Sequence, residues 1–163
     1  MAAAKYQWWQ IFGNTAQIGS AIIALLGFCA VLLQLNEIRN SNSGTSARQV
    51  YLAYADLEFK NPQFSDPDYE QIKAAGKETL GRYKSFVAYL LYACGEVLYA
   101  FPSEQEWRNS CEYDVKRHLP FLCETSVSDP AFLATFGDLM QKFIKSAMAR
   151  AGVTGPGCKA KPA

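Results

Sequence analysis

The sequence predicts an all-α protein, with one N-terminal transmembrane helix followed by a small bundle of about four helices. Three observations carry that prediction. Residues 18–35 read IGSAIIALLGFCAVLLQL without a charge. Downstream, apolar residues recur at spacings of three and four, in runs separated by proline-marked turns. Alternation of apolar and polar residues, the signature of a half-buried strand, is found nowhere in the sequence. The plan is an N-terminal flank and anchor over 1–40, a polar hinge over 41–47, a bundle over 48–151 and a flexible tail over 152–163.

The anchor comes first. A helix over 11–35 would rise roughly 37 Å, enough to cross a hydrocarbon core about 30 Å thick with some tilt. Tyr6, Trp8 and Trp9 form an aromatic cluster suited to the headgroup level, and Gln34, Asn36, Glu37 and Arg39 mark the far water boundary. Lys5 is remote from the apolar run and no A-x-A site follows Leu35, so a cleaved signal peptide is not expected. One face carries a ladder of small residues, Gly13, Ala16, Ser20, Ala24 and Gly27, with Gln17 and Gln34 beside it. Small side chains at these spacings let a second helix approach closely, and an amide in hydrocarbon favours an interhelical hydrogen bond. A protein-packing face is therefore expected, against the plainer reading of simple lipid anchoring.

The elements of the domain follow in order. Turn chemistry in NSNSGTS, residues 40–46, marks a short hinge or a fraying helix end. Val50, Tyr51, Tyr54, Leu57 and Phe59 then give a helix that Asn61-Pro62 stops, because the residue before proline is pushed out of the helical region. NPQFSDPDY reads as a loop. A long helix over 69–101 is weakened at Gly76 and Gly81, and its second half, SFVAYLLYACGEVLYAF, is apolar on nearly every face. That half is short for a crossing and contains Glu96, so a buried central helix is expected. Ser103 and Glu106 have the spacing of a capping box for a helix burying Trp107, Cys111, Val115 and His118 and ending near Pro120. Asp129-Pro130 opens the last helix, with a stripe of Phe132, Leu133, Phe136, Leu139, Met140, Phe143 and Ile144, and Gly152 closes it.

Half of the residues are hydrophobic and 13% aromatic, which excludes a disordered tail after the anchor. Formal net charge is +1 overall, while residues 48–151 hold 12 basic and 14 acidic residues, a net of −2. Without a clustered basic excess, a nucleic-acid partner is not expected. The five cysteines lack CxxC or zinc spacing and read as buried or idle thiols of a reducing compartment. A Cys111–Cys123 disulfide is the alternative if the domain faces an oxidising space.

Two residues stand out as a buried polar site. Glu96 lies in an otherwise apolar helix and needs a partner or a proton. His118 is the sole histidine, and its neighbours Cys111, Glu112, Asp114 and Cys123 match no metal signature. A structural role is expected for both. Phe101, Trp107, Tyr92 and Tyr99 could stack on a cofactor, but aromatics at helical spacing more often form core. No phosphate loop or GxGxxG occurs, so no catalytic residue, metal or cofactor is expected.

The order of anchor, helix, NPQFSDPDY, apolar helix ending YACGEVLYAF, Trp-containing helix and Phe-rich helix resembles uncharacterised bacterial single-pass membrane proteins with a small cytoplasmic helical domain. The likeness covers most of residues 10–148. It implies a bacterial origin and an anchored domain, and it lends no activity; Gly95 departs from the bulkier or acidic residue expected beside Glu96. Lys5 with the N-terminal amine against Arg39 and Arg48 leaves orientation nearly even. The unpaired cysteines favour a cytoplasmic domain on a bacterial inner membrane. The expected role is a non-catalytic accessory or scaffold subunit, whose partners are the lipid bilayer and the transmembrane helices of a larger complex or of a second copy. A tethered sensor or regulator, whose domain binds a soluble protein or small ligand, is the alternative.

Overall fold

The computed structural model describes residues 2–153 and Cys158; within the first helix, side chains are described at Ser20, 22–38 and from Ser41 onward. The chain divides into two compact units, Met1–Asn42 and Ser43–Ala163. The described residues form eight helices and no strand: α1 Ala2–Lys60, α2 Pro62–Ser65, α3 Tyr69–Ala74, α4 Lys77–Ala100, α5 Gln105–Arg117, α6 Leu119–Ser128, α7 Pro130–Ala134 and α8 Asp138–Arg150. The all-α class is as expected, while the helices after the anchor are more numerous than the expected four.

In the first unit, α1 is the one helix among the described residues long and apolar enough to cross a membrane. Its apolar side chains from Ile22 to Ile38 are exposed, Ile23 and Leu33 each at 72%. A helix with apolar groups all round and no protein over them is what a bilayer solvates.

The second unit starts inside α1. Residues 41–47, expected as a hinge, are helical throughout, and Gly44 and Ala47 are buried. The reason is tertiary. The Phe101 ring lies so close to Gly44 that a Cβ there would sit 3.1 Å from its Cζ, and Arg48 covers the same ring at 4.9 Å. Packing against Phe101 and Arg48 outweighs the turn propensity of the polar run.

Asn61-Pro62 ends α1 as expected, but Pro62 starts the single turn α2 instead of a loop, consistent with the preference of proline for the first helical position. Asp68 caps α3 by accepting from the Gln71 amide at 3.1 Å. Gly76, at φ +100°, breaks the long helix expected over 69–101 into α3 and α4; few other residues adopt that backbone. The expected Ser103–Glu106 capping box does not form, since α5 begins one residue later, with Glu104 as an N-cap that makes no side-chain bond. α5 ends at Arg117, near Pro120 as expected, but Pro120 itself lies in the first turn of α6, which follows α5 directly through His118. Asp129 caps as expected, accepting from the Phe132 amide at 3.3 Å, but α7 stops at Ala134 and Gly137 starts α8.

The core is built on α4, the expected central helix. Tyr83, Phe86, Val87, Leu90, Leu91, Cys94, Val97 and Leu98 are all buried. α3, α5 and α8 pack against it, α6 and α8 flank α5, and α7 lies on α6. Aromatic rings fill the joints. Tyr54 meets Phe86 at 5.7 Å, Tyr83 meets Phe121 at 5.3 Å, and Phe101 stacks on Trp107 at 5.8 Å.

Candidate functional site

Four of the five cysteines are bonded. Cys94 on α4 joins Cys111 on α5, with Cα atoms 5.6 Å apart, and Cys123 on α6 joins Cys158, with Cα atoms 5.0 Å apart. This corrects both the free-thiol expectation and the Cys111–Cys123 alternative. It also corrects the free tail, because Cys158 ties it to α6. Cys29 alone is free, and it is exposed on α1.

His118 is fully buried where α5 meets α6, and its Nδ1 lies 2.8 Å from the Tyr83 hydroxyl. Burial, then the charge of Arg117, lowers its pKa from 6.5 to about 4, so the ring is neutral at pH 7. Its Nε2 has no hydrogen-bond partner among the described residues. Glu96 is only half-buried, on a different part of α4: ten residues beyond Phe86, which touches His118, or about 15 Å along the axis. The structure does not bring the two together as one buried polar site. Glu96 has neither a hydrogen bond nor an ion pair among the described residues, contrary to the structural partner expected for it.

The buried polar chemistry lies elsewhere, on Asp114 and Glu112, which the sequence offered only as neighbours of His118 without a metal signature, and on Glu58, Ser65 and Arg117, which carried no signal of their own. Asp114 accepts from the Tyr51 hydroxyl at 2.8 Å and from Arg117. Arg117 also donates to Glu58 at 2.7 Å, and Ser65 donates to the same Glu58 oxygen at 2.6 Å. Burial raises the Asp114 pKa, offset in part by Tyr51 and Arg117. For Arg117 burial acts against the charge, and the bond to Asp114 overcomes it. Burial likewise raises the Tyr51 and Tyr54 hydroxyls, so both stay protonated. A second knot holds Glu112 of α5 between Lys116 at 2.9 Å and Arg150 of α8 at 2.7 Å. Each of these carboxylates is paired with a cation, so these clusters tie helices together. Their sequence separations, from 52 to 63 residues for the α1 and α2 contacts, left no local signal.

On the anchor, Ser20, Ala24, Gly27 and Gln34 are exposed, and a Cβ added at Gly27 would meet nothing within 4 Å. Exposure runs round the whole of 22–38, so the face is marked by its small residues and not by its accessibility. The side chains of Gly13, Ala16 and Gln17, and of the interfacial Tyr6, Trp8 and Trp9, lie outside the described residues. Among the described residues no group of three His, Cys, Asp or Glu could hold a metal ion. Comparison with protein families, with curated proteins and with solved structures finds no match to this chain.

Proposed function

We propose that this chain is a non-catalytic accessory or scaffold subunit that docks on a larger membrane protein complex through α1. The observation that carries this reading is the small-residue ladder with its two glutamines, on a helix whose apolar surface over 22–38 is exposed among the described residues. Support comes from the domain, where the buried carboxylates Glu112 and Asp114 are occupied by structural partners. The host is a bacterial inner membrane, crossed once. We place the domain on its oxidising side. Unpaired cysteines favour a cytoplasmic domain, whereas two disulfides favour an oxidising space, because reducing compartments keep thiols free. The orientation implied by the resemblance is set aside on the same ground.

Exchange of residues 11–35 for a polyleucine helix preserves insertion while erasing the ladder. In mild detergent the native chain should migrate within a larger assembly, and the exchanged chain should migrate alone. A native chain that is strictly monomeric and free of partners would sink the proposal; a homo-oligomer would assign the same face to self-association.

A further inference from the structure

On α4, Tyr92, Glu96 and Tyr99 stand at i, i+4 and i+7, which places them on one face of the helix. The core takes the other faces. Tyr92 and Tyr99 are 53% and 74% exposed, unusual for aromatic rings on the central helix of a bundle. Beneath them a cleft of about 350 Å³ opens between α4 and the start of α8, with Phe136, Leu139 and Met140 as its opposite wall. Gly95 lines it too, and a Cβ there would meet nothing within 4 Å, so the chain's own packing does not require the missing side chain. The glycine leaves a notch beside Glu96.

Among the described residues, Glu96 is the one charged side chain lining this cleft. Every buried or half-buried carboxylate of the clusters described above is paired, whereas Glu96 has no partner among the described residues. Arg108 and Lys142 line the neighbouring cleft, yet neither bonds to it. Asp138 in the first turn of α8 answers the dipole of that helix, so the N-terminus at Gly137 does not turn the cleft toward anions. A half-desolvated carboxylate between two aromatic rings favours a cation, by direct charge and by the negative ring faces. The apolar wall and the volume suit a small molecule.

We propose that the cleft between α4 and α8 binds a small organic ammonium ion, with Glu96 as its counter-charge, Tyr92 and Tyr99 flanking the cation, and Leu139 and Met140 against its apolar part. The site is independent of the docking role of α1. Titration of the full chain in a neutral detergent with phenethylammonium, and with the uncharged 2-phenylethanol, tests it by calorimetry. Phenethylammonium should bind at least about tenfold more tightly than the alcohol. Glu96→Gln should bring both to the level of the alcohol. Gly95→Leu, at a position where a Cβ meets nothing within 4 Å, extends a side chain into the cleft and should abolish binding of both while the thermal melt is kept. Equal binding of amine and alcohol, amine binding unchanged in Glu96→Gln or in Gly95→Leu, or no amine binding at millimolar concentration would each overturn the proposal.

Discussion

Two apolar stretches of this chain have similar composition and opposite environments. Along 22–38 of α1 the leucines and isoleucines point outward, Leu26 at 64% exposure, whereas along α4 Leu90 and Leu91 are fully buried. The difference lies in what surrounds each stretch. α4 has amphipathic neighbours in α3, α5 and α8, each supplying an apolar stripe, and the anchor has none within its own unit. An apolar run is therefore buried as core or left exposed, long and apolar enough to cross a membrane, according to whether the chain supplies partners for it.

The sharpest way to break this comparison is to shorten one leucine in each stretch. Leu90→Ala should cost the domain about 2–5 kcal/mol in denaturant unfolding, because a cavity remains where the side chain packed. Leu26→Ala should leave that unfolding unchanged. Equal losses would mean that the two stretches share an environment.

Removing the Cys94–Cys111 bond by the double substitution to Ala should cost about 3 kcal/mol, as expected for a loop of 17 residues, and should lower the melting temperature. No change on substitution, together with free thiols in the native protein isolated from its membrane, would return the domain to a reducing compartment.

An effect of at most similar size, spread over a range of pH, should follow acidification. The His118 pKa falls from 6.5 to about 4 on folding, so between those values the unfolded chain takes up a proton that the folded chain refuses. The stability tied to the neutral ring is complete above pH 6.5 and is lost as pH falls towards 4, by up to about 3 kcal/mol. Asp114, raised by burial, acts in the opposite sense, and it is retained in a His118→Gln variant. The variant's stability should therefore decline less than the parent's between pH 6.5 and pH 4; parallel curves would remove His118 from the account.

What the sequence made legible was local. The uncharged run of the anchor, the burial of α4, the stop at Asn61-Pro62 and the Asp129 cap all follow from a few neighbouring residues. What it hid was tertiary. The hinge over 41–47 reads as turn until Phe101 packs against Gly44. Cys94 reads as core until Cys111 is brought beside it, and the partners of Asp114 and Arg117 on α1 lie some 60 residues away. Glu96 was singled out for its apolar helix, but its distinguishing feature, the want of a partner, is visible only in three dimensions. The ladder on α1 is the converse case, since residues 13, 16 and 17 lie outside the described side chains and the face is known from spacing alone.

The claim that α1 docks through one face is tested most directly by a photo-crosslinking scan in the native membrane, with a probe placed in turn at each position from 20 to 34. Protein adducts should concentrate at Ser20, Ala24, Gly27 and Gln34 and be missing at Leu25, Leu26 and Leu33. Adducts spread evenly round the helix, or to lipid alone at every position, would contradict the account.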